Sequence, residues 1–418
     1  MNATGKRSPG PSLSIVLALL SLSLLINYVD RSSVSNAAPL LKGEFKLSAS
    51  QLGVLFSAFS WTYALFLIVS GWLSDRYNVN WILGAGFAVW SGATLLTGFA
   101  HGFIGFLILR LLLGVGESVA YPSYSRIVVR HFPAYRRGLA NSVIGIGMPG
   151  GLAVGTFTGA LLMDRFGWRP FFVVLGLCSL LWLIPWFLWS PQGTGTIKSP
   201  STRSEPGLLE ILQKPALWAT CGGLFTLNFV LYFMINWLPT YLVEGRHLAF
   251  SRVATVGFVY LIAALISPLA GWISDVWMSS GATPTLARKA FMAVGQLCCA
   301  LSLMACVVAG PHLAVALLLL AGAGFGFSNS QTWAISQTLA GPDASGKWTG
   351  FQNFVGNLAG ILGPLIAGYV IDRTGGFFWA FALTAAVGVL GCAVWIFLVG
   401  PLKQTSWATP TAGLPAEN

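Results

Sequence analysis

The sequence Gly71-Trp72-Leu73-Ser74-Asp75-Arg76 follows a long apolar stretch, and residues 271–275 repeat it as Gly-Trp-Ile-Ser-Asp after another such stretch. A second pair of similar segments lies at 161–165 (Leu-Leu-Met-Asp-Arg) and at 370–373 (Val-Ile-Asp-Arg). The copies are about 200 residues apart in both pairs, a spacing typical of a membrane protein built from two related halves around a central cavity.

Composition indicates a membrane protein with many spans. The chain has 418 residues, of which 55% are hydrophobic and 8% are charged, whereas soluble domains carry about 25% charged residues. A transmembrane β-barrel is excluded, because its strands are short and alternate in polarity. Twelve apolar stretches are long enough to cross a bilayer as helices: 13–40, 50–73, 80–100, 103–125, 138–162, 170–190, 216–242, 252–274, 289–309, 313–339, 349–371 and 377–400.

The repeat and the spans together predict an all-α membrane protein with two pseudo-symmetric six-helix bundles. We assign residues 1–190 to the first bundle and 216–418 to the second bundle with its short tail. Residues 191–215, rich in Ser, Pro, Gly and Thr, form the predicted cytoplasmic linker. The first apolar stretch resembles a signal peptide, but it is long and has no clear cleavage site, so we expect it to be retained.

The net charge of +11 predicts an orientation in the membrane. With both termini inside, the cytoplasmic loops hold 14 Lys and Arg residues and the outside loops hold seven, as the positive-inside rule requires. No basic stripe with interleaved aromatic residues suggests a nucleic-acid partner. We expect a monomer in the cell (inner) membrane, with no metal or other cofactor.

Four charged residues lie inside the predicted spans: Asp30 and Arg31 in the first, and Arg110 and Glu117 in the fourth. A charge at the centre of a bilayer helix costs about 2.5–3.5 kcal/mol even on the most lenient scale. Arg110 and Glu117 are two turns apart, so their side chains share one face about 10 Å apart along the axis. These charges indicate a polar cavity for a substrate or ion; the alternative is a static ion pair that pins two helices together.

Several motifs resemble those of known transporters. Gly71-Trp-Leu-Ser-Asp75-Arg76 is similar to the loop signature of the major facilitator superfamily. Other segments resemble the anion:cation symporter family within it, which includes permeases for galactonate, hexuronates and glucarate. They are Asn27-Tyr-Val-Asp30-Arg31, Phe56-Ser-Ala-Phe-Ser-Trp-Thr-Tyr63, Arg110-Leu-Leu-Leu-Gly-Val-Gly-Glu117, Tyr121-Pro-Ser, His131-Phe-Pro and Trp237-Leu-Pro-Thr-Tyr-Leu.

The resemblance implies the major facilitator fold, no enzymatic activity and proton-coupled symport of a small organic anion such as a sugar acid. By the same resemblance, Asp30 and Glu117 titrate the coupling protons, and Arg31 and Arg110 handle the substrate carboxylate. Tyr63, Trp333 and Asn353 fall at positions of substrate contacts in galactonate-type members. From helical spacing alone, we add the polar side chains of Tyr232, Asn236 and Gln331 as candidate substrate contacts in the second bundle.

Some residues depart from the family pattern. Met148 replaces a glutamine of galactonate-type members, and Asn78-Val-Asn80 replaces the basic end of the loop signature. These departures leave open a lysolipid or amphiphile exporter of the Spinster type, which shares similar motifs, and a facilitator without proton coupling. A membrane receptor is a third alternative, but no loop is long enough for a signalling domain.

The four charges suggest a coupling mechanism. When Glu117 is ionised, we expect it to pair with Arg110; its protonation would leave the cavity positive and free a guanidinium group to bind a carboxylate. At the cytoplasmic end of the second span, Asp75 would contact Arg136 or Arg137 and hold the halves in the outward-open state. We include Arg76 and Asp275, in or beside the repeated segments, in this conformational latch.

Overall fold

The computed structural model describes residues 13–132, 140–141, 143–191 and 206–407. Within these residues, twelve helices are long and apolar enough to cross a membrane, which confirms the predicted all-α fold class. We number these spans α1 Leu13–Phe45, α2 Ala49–Arg76, α3 Val79–Thr97, α4 Gly102–Val128, α5 Val143–Phe166, α6 Trp168–Trp189, α7 Pro215–Gly245, α8 Phe250–Ser279, α9 Pro284–Val308, α10 Leu313–Gly341, α11 Ala344–Thr374 and α12 Phe378–Leu398.

Several spans are interrupted. The α4 span consists of two helices, Gly102–Glu117 and Ala120–His131, so its break directly follows the buried carboxylate of Glu117. Gly341 separates α10 from α11 with a φ of 67°, a left-handed conformation that glycine adopts without strain. The α6 span divides into Trp168–Leu180 and Leu183–Trp189, and the short helix Leu208–Leu212 lies in the predicted linker.

The helix ends differ from the sequence prediction by a few residues. α1 continues to Phe45 and α7 continues through a π-turn at Tyr241–Gly245, although apolarity alone ends them at 40 and 242. α2 begins after Ser48, whose hydroxyl accepts a hydrogen bond from the backbone N–H of Gln51 in a capping box. A polar cap therefore marks the start of α2, and α1 and α7 continue beyond their apolar residues.

The two six-helix sets meet through two equivalent helix pairs, α2 with α11 and α5 with α8, and through α1 with α7. The sequence repeat relates α2 to α8 and α5 to α11, so the two main pairs are copies of one arrangement. α2 approaches α11 closely at Gly53, where an added Cβ would lie 2.5 Å from the carbonyl oxygen of Pro364. The division into domains at 190 and 216 stays a prediction.

We call the end that carries the α1–α2, α7–α8 and α11–α12 loops the predicted outer end. There, Asp372 of α11 caps the N-terminus of α2: Oδ1 accepts a hydrogen bond from the Ala49 N–H at 2.8 Å, and Oδ2 accepts one from the Ser50 N–H at 2.6 Å. Beside this cap, Lys42 Nζ lies 2.6 Å from Glu244 Oε2. A carboxylate on a helix N-terminus is stabilised by the free N–H groups and the helix dipole. These contacts clamp the two halves together at the predicted outer end.

The conformational latch predicted at the opposite end stays a prediction. The side chain of Asp75 and the whole of Arg136 lie outside the described residues. Arg76 is exposed with its guanidinium carbon 5.4 Å from the centroid of the Trp72 ring. Asp275 lies 3.9 Å from Arg288 of α9, so this ion pair stays within the second half.

We predict that Asp372→Ala loosens the outer clamp, because two N–H groups at the start of α2 lose a charged acceptor. Such bonds contribute about 1.5–3 kcal/mol each, so the population open at the outer end should rise at least tenfold. The measurement is labelling of a cysteine placed at Ser60, in a background without the six native cysteines, by an impermeant maleimide added outside.

Asp164→Ala is the matched control, because Asp164 is the repeat equivalent of Asp372 and is exposed. Equal labelling rates in Asp372→Ala and Asp164→Ala would contradict the clamp.

Candidate functional site

The structure brings together the four intramembrane charges noted in the sequence. Asp30 and Arg31 lie on α1, and Arg110 and Glu117 lie on the first helix of α4. All four are buried, with Glu117 completely inaccessible and Arg31 retaining 9% of its exposure. Since the two acidic and two basic groups balance, the cluster is formally neutral when all four are ionised.

Glu117 pairs with Arg31 and not with Arg110. Arg31 Nε donates to Glu117 Oε2 at 2.8 Å, so the predicted pairing of Glu117 with Arg110 is wrong for this conformation. Two helical turns separate Arg110 from Glu117 along α4, whereas the neighbouring α1 presents Arg31 sideways at hydrogen-bonding distance. Removing one partner of a buried pair typically costs about 3–5 kcal/mol, because the other charge is left without compensation.

Arg31 is also enclosed by aromatic rings. Its guanidinium carbon lies 4.7 Å from the ring centroid of Tyr28, 4.6 Å from that of Phe59 and 4.9 Å from that of Tyr63. Sequence reasoning identified Tyr63 but assigned no role to Tyr28 or Phe59. Their spacing was a usable signal: Tyr28 lies three residues before Arg31 and Phe59 four before Tyr63, so each pair shares a helix face.

Arg110 lies in a different setting. Its Nε donates to the backbone carbonyl of Leu55 at 3.4 Å, and its guanidinium carbon is 5.3 Å from the centroid of the Phe59 ring. Arg110 therefore contacts α2 within the first half, whereas Arg31 lies within electrostatic range of Tyr232 in the second half. The two arginines are not equivalent in this conformation.

All four groups in the cluster have buried polar atoms without a hydrogen-bond partner among the described residues. These atoms are both carboxylate oxygens of Asp30, Arg31 Nη2, Arg110 Nη1 and Glu117 Oε1. The carboxylate of Asp30 lies close enough to Glu117 and Arg110 to interact with both charges. The ion pair thus keeps free donor and acceptor positions that a ligand or a proton can occupy.

Neutral polar side chains face this cluster from the second half. Tyr232 on α7 donates its hydroxyl hydrogen to Asn357 Oδ1 at 2.8 Å, and Asn357 Nδ2 donates to Asn353 Oδ1 at 3.1 Å on α11. The predicted residues Tyr232 and Asn353 therefore belong to one hydrogen-bonded chain. Asn357, which helical spacing also predicts to face inward, completes this hydrogen-bonded chain.

Three other residues predicted to contact the substrate lie apart from this series of hydrogen-bonded side chains. Asn236 Oδ1 accepts a hydrogen bond from Ser35 Oγ at 3.2 Å, so it joins α7 to α1 across the interface. Gln331 is buried within the second half, where its Oε1 accepts a 3.4 Å hydrogen bond from Ser274 on α8. Gln331 stays a predicted substrate contact that is bonded to α8 in this conformation. Trp333 keeps 37% of its surface exposed.

The packing of α2 on α4 positions the aromatic rings. A Cβ added at Gly114 would lie 2.3 Å from the backbone oxygen of Phe59, so only a glycine permits this approach. Thr62 Oγ1 donates to the Leu111 carbonyl at 2.7 Å one turn away. These two contacts bring Phe59 between α1 and α4, next to both arginines.

The described residues contain no group of three or more His, Cys, Asp or Glu side chains that could hold a metal ion. The polar chemistry of the site therefore consists of two guanidinium groups, two carboxylates and neutral hydroxyl and amide groups. This set can bind an anion through arginine and exchange protons through the carboxylates.

The sequence is similar to known transporters over nearly its whole length. The family model described as the Major Facilitator Superfamily matches residues 20–364 and, in an overlapping match, 286–416. A hexuronate transporter of Bacillus subtilis is 32% identical, covering 96% of this chain and 97% of the relative. A D-galactonate transporter of Escherichia coli is 29% identical over 95% of this chain and 97% of its own, and a probable sulfoacetate transporter of Cupriavidus necator is 29% identical over 96% of both.

A solved structure has the same fold. A bacterial homologue of the human lysosomal transporter Spinster, in an inward-facing and occupied conformation, matches with a TM-score of 0.81. The match covers 94% of this chain and 97% of that protein at 20% sequence identity. Identity this low supports a common fold and carries no information about the transported molecule.

We predict that Gly114→Ala destabilises the site, because the new methyl group collides with the α2 backbone at Phe59. Overpacking of this kind typically costs about 1–3 kcal/mol. Gly105→Ala on the same helix is the matched control, since an added Cβ meets nothing within 4 Å there. Thermal unfolding in detergent should show a lower Tm for Gly114→Ala alone; equal Tm values for the two variants would contradict the packing described.

Proposed function

This chain belongs to the major facilitator superfamily, and we propose that it carries a small organic anion across the membrane by proton-coupled symport. We propose a sugar acid or a related carboxylate as the substrate. The relatives named for hexuronate and D-galactonate support this class, because they match the chain from end to end. The protein is a transporter and not an enzyme, in keeping with the family.

The observation that carries the proposal is the buried ion pair between Arg31 and Glu117, 2.8 Å apart. In this pair the carboxylate of Glu117 occupies the guanidinium edge that a substrate carboxylate would use. Protonation of Glu117 removes its charge and releases Arg31, which can then bind a carboxylate through two parallel hydrogen bonds. Substrate and proton therefore favour each other's binding, which is the requirement for symport.

Charge balance supports the same order of events. The cluster of Asp30, Arg31, Arg110 and Glu117 is neutral when fully ionised, so an added anion would make it negative in an apolar environment. A proton on Glu117 or Asp30 compensates the substrate charge, and the loaded site is neutral again. Asp30 is suited to be the second proton carrier, because its carboxylate oxygens have no hydrogen-bond partner among the described residues.

The neutral side chains of the second half suit the hydroxyl groups of a sugar acid. Tyr232, Asn357 and Asn353 offer a hydroxyl and two amides in one chain opposite Arg31. We propose that the carboxylate end of the substrate binds in the first half and the hydroxylated end in the second. Tyr63 and Trp333 would contact the sugar chain, and Met148 in place of an amide favours a substrate with fewer hydroxyl groups.

We propose alternating access between the two halves, with the clamp of Asp372 and Lys42 closing the outer end. Asp75 and Arg136 would close the inner end in the other state. We place the protein as a monomer in the cell (inner) membrane with both termini in the cytoplasm. A facilitator without proton coupling is the alternative that the following experiments separate.

We predict that Arg31→Ala abolishes substrate binding and that Arg110→Ala weakens it less in this conformation. Arg31 lies within electrostatic range of Tyr232 in the second half, whereas Arg110 donates a hydrogen bond to Leu55 inside the first. The measurement is isothermal titration of each purified variant with D-glucuronate, D-galactonate and D-glucarate at acidic pH, with Arg169→Ala at the outer end as the control. Near-wild-type affinity in Arg31→Ala would contradict the assignment of Arg31.

Glu117→Gln should behave as a permanently protonated transporter. We expect it to bind the sugar acid with little pH dependence and to exchange it across the membrane, but not to accumulate it against a gradient. Proteoliposomes with an imposed pH gradient, compared with counterflow without one, make this measurement. Glu44→Gln is the control, because Glu44 pairs with Arg169 at the predicted outer end. Proton-driven accumulation by Glu117→Gln would overturn its role as coupling carboxylate.

A further inference from the structure

We propose that Phe59 is a positioning residue that holds the Arg31 guanidinium in place when Glu117 loses its charge. The inference rests on the proposed function for the step at which Glu117 becomes neutral. The geometric basis is independent of any substrate, because one ring lies between two buried cations on two different helices.

Phe59 contacts both arginines of the site. The centroid of its ring is 4.6 Å from the guanidinium carbon of Arg31 and 5.3 Å from that of Arg110. Because both distances end on one ring, the two guanidinium carbons are at most about 10 Å apart, well within the range of mutual repulsion in an apolar interior. Of the three rings around Arg31, Phe59 is the one that also faces Arg110.

The ring has little freedom to move. Phe59 is 4% exposed and stacks on Tyr63 at a centroid distance of 5.3 Å with an interplanar angle of 26°. Its backbone oxygen lies against Gly114 of α4, and the bond from Thr62 to Leu111 fixes the same turn of α2. The face of the ring is thus presented to the arginines by helix packing and not by a polar contact that would change with protonation.

The charged neighbours of Arg31 show why an uncharged side chain is needed to keep its guanidinium group in position. Glu117 is its only ion-pair partner among the described residues, and Arg110 is a like charge. The other titratable groups that face the pair are Asp30, Tyr28, Tyr63, Tyr121, Tyr124 and Tyr232. When Glu117 is neutral, Arg31 has lost its counter-charge while Arg110 still repels it.

The negative face of an aromatic ring attracts a cation, and the attraction grows when the cation is out of water. Phe59 therefore keeps Arg31 oriented at the interface until the substrate carboxylate arrives. An aliphatic side chain of similar size fills the space but has no such face. The contribution of Phe59 should consequently be larger when Glu117 carries no charge than when it is ionised.

A double-mutant cycle on the full-length protein tests this dependence without a ligand. The Tm in detergent at neutral pH is measured for wild type, Phe59→Leu, Glu117→Gln and the double variant. We expect Phe59→Leu to lower the Tm at least twice as much in the Glu117→Gln background as in the wild-type background. Phe59→Tyr, which retains the ring, should restore most of the Tm in both backgrounds.

Phe87→Leu is the matched control, since Phe87 is a fully buried ring on α3 that packs on Trp90 and Trp182 and contacts no cation among the described residues. Its effect on the Tm should be the same in both backgrounds. An equal effect of Phe59→Leu in the two backgrounds would overturn the proposal, because a ring that only fills space does not respond to the charge of Glu117. The cycle is independent of transport: absence of acid-dependent uptake in wild type would refute symport without altering the cycle.

If wild type accumulates D-glucuronate, uptake supplies a second readout. Phe59→Leu should then raise KM about tenfold with a smaller change in kcat, because the binding group is misplaced before substrate arrives. Loss of kcat with an unchanged KM would argue against a positioning role.

Discussion

The rest of the structure depends on one constraint: two positive and two negative side chains lie inside an apolar bundle and must compensate one another. Burial of an unpaired charge is costly in such an environment, whereas a paired and hydrogen-bonded charge is tolerated. The pair between Arg31 and Glu117 meets this constraint only partly, since Arg31 Nη2 and Glu117 Oε1 have no partner among the described residues. In such a pair the charges balance, but some polar atoms lack hydrogen bonds. The carboxylate can then accept a proton, and the guanidinium group can bind an anion in its place.

The two halves contribute different kinds of side chain, because this cluster lies in the first half. The first half carries the charges and the aromatic rings that hold them, and the second half presents the neutral chain from Tyr232 to Asn353. The charged cluster and the neutral side chains therefore lie on the two sides of the boundary between the halves, which is where the proposed substrate site is placed. At the predicted outer end, Asp372 and Lys42 fasten that boundary through contacts that join the start of α2 to α11 and the end of α1 to α7.

Much of the fold could be predicted from the sequence, because span length and apolarity are local properties and the repeat relates one half to the other. The positions of Asp30, Arg31, Arg110 and Glu117 in the spans also predicted the buried charge cluster that the structure contains. The partner of Glu117 could not be predicted, since it depends on which helix lies beside α4 and not on spacing along the chain. The burial of Gln331 against α8 was missed for the same reason.

Two other features of the structure could not be predicted from residue types and their spacing in the sequence. The cap that Asp372 forms uses backbone N–H groups of the other half, which no side-chain motif records. Phe59 appears in the sequence as one more apolar residue of α2, and its contact with two arginines depends on the close approach at Gly114.

The central claim is that substrate and proton move together, and a proton-flux experiment tests it most directly. Wild-type proteoliposomes with an internal pH dye and no initial pH gradient receive D-glucuronate, D-galactonate or D-glucarate outside. Our account predicts that entry of the transported sugar acid acidifies the interior and that Glu117→Gln equilibrates the same compound without acidification. Entry of the sugar acid into wild-type vesicles with no change in internal pH would contradict it.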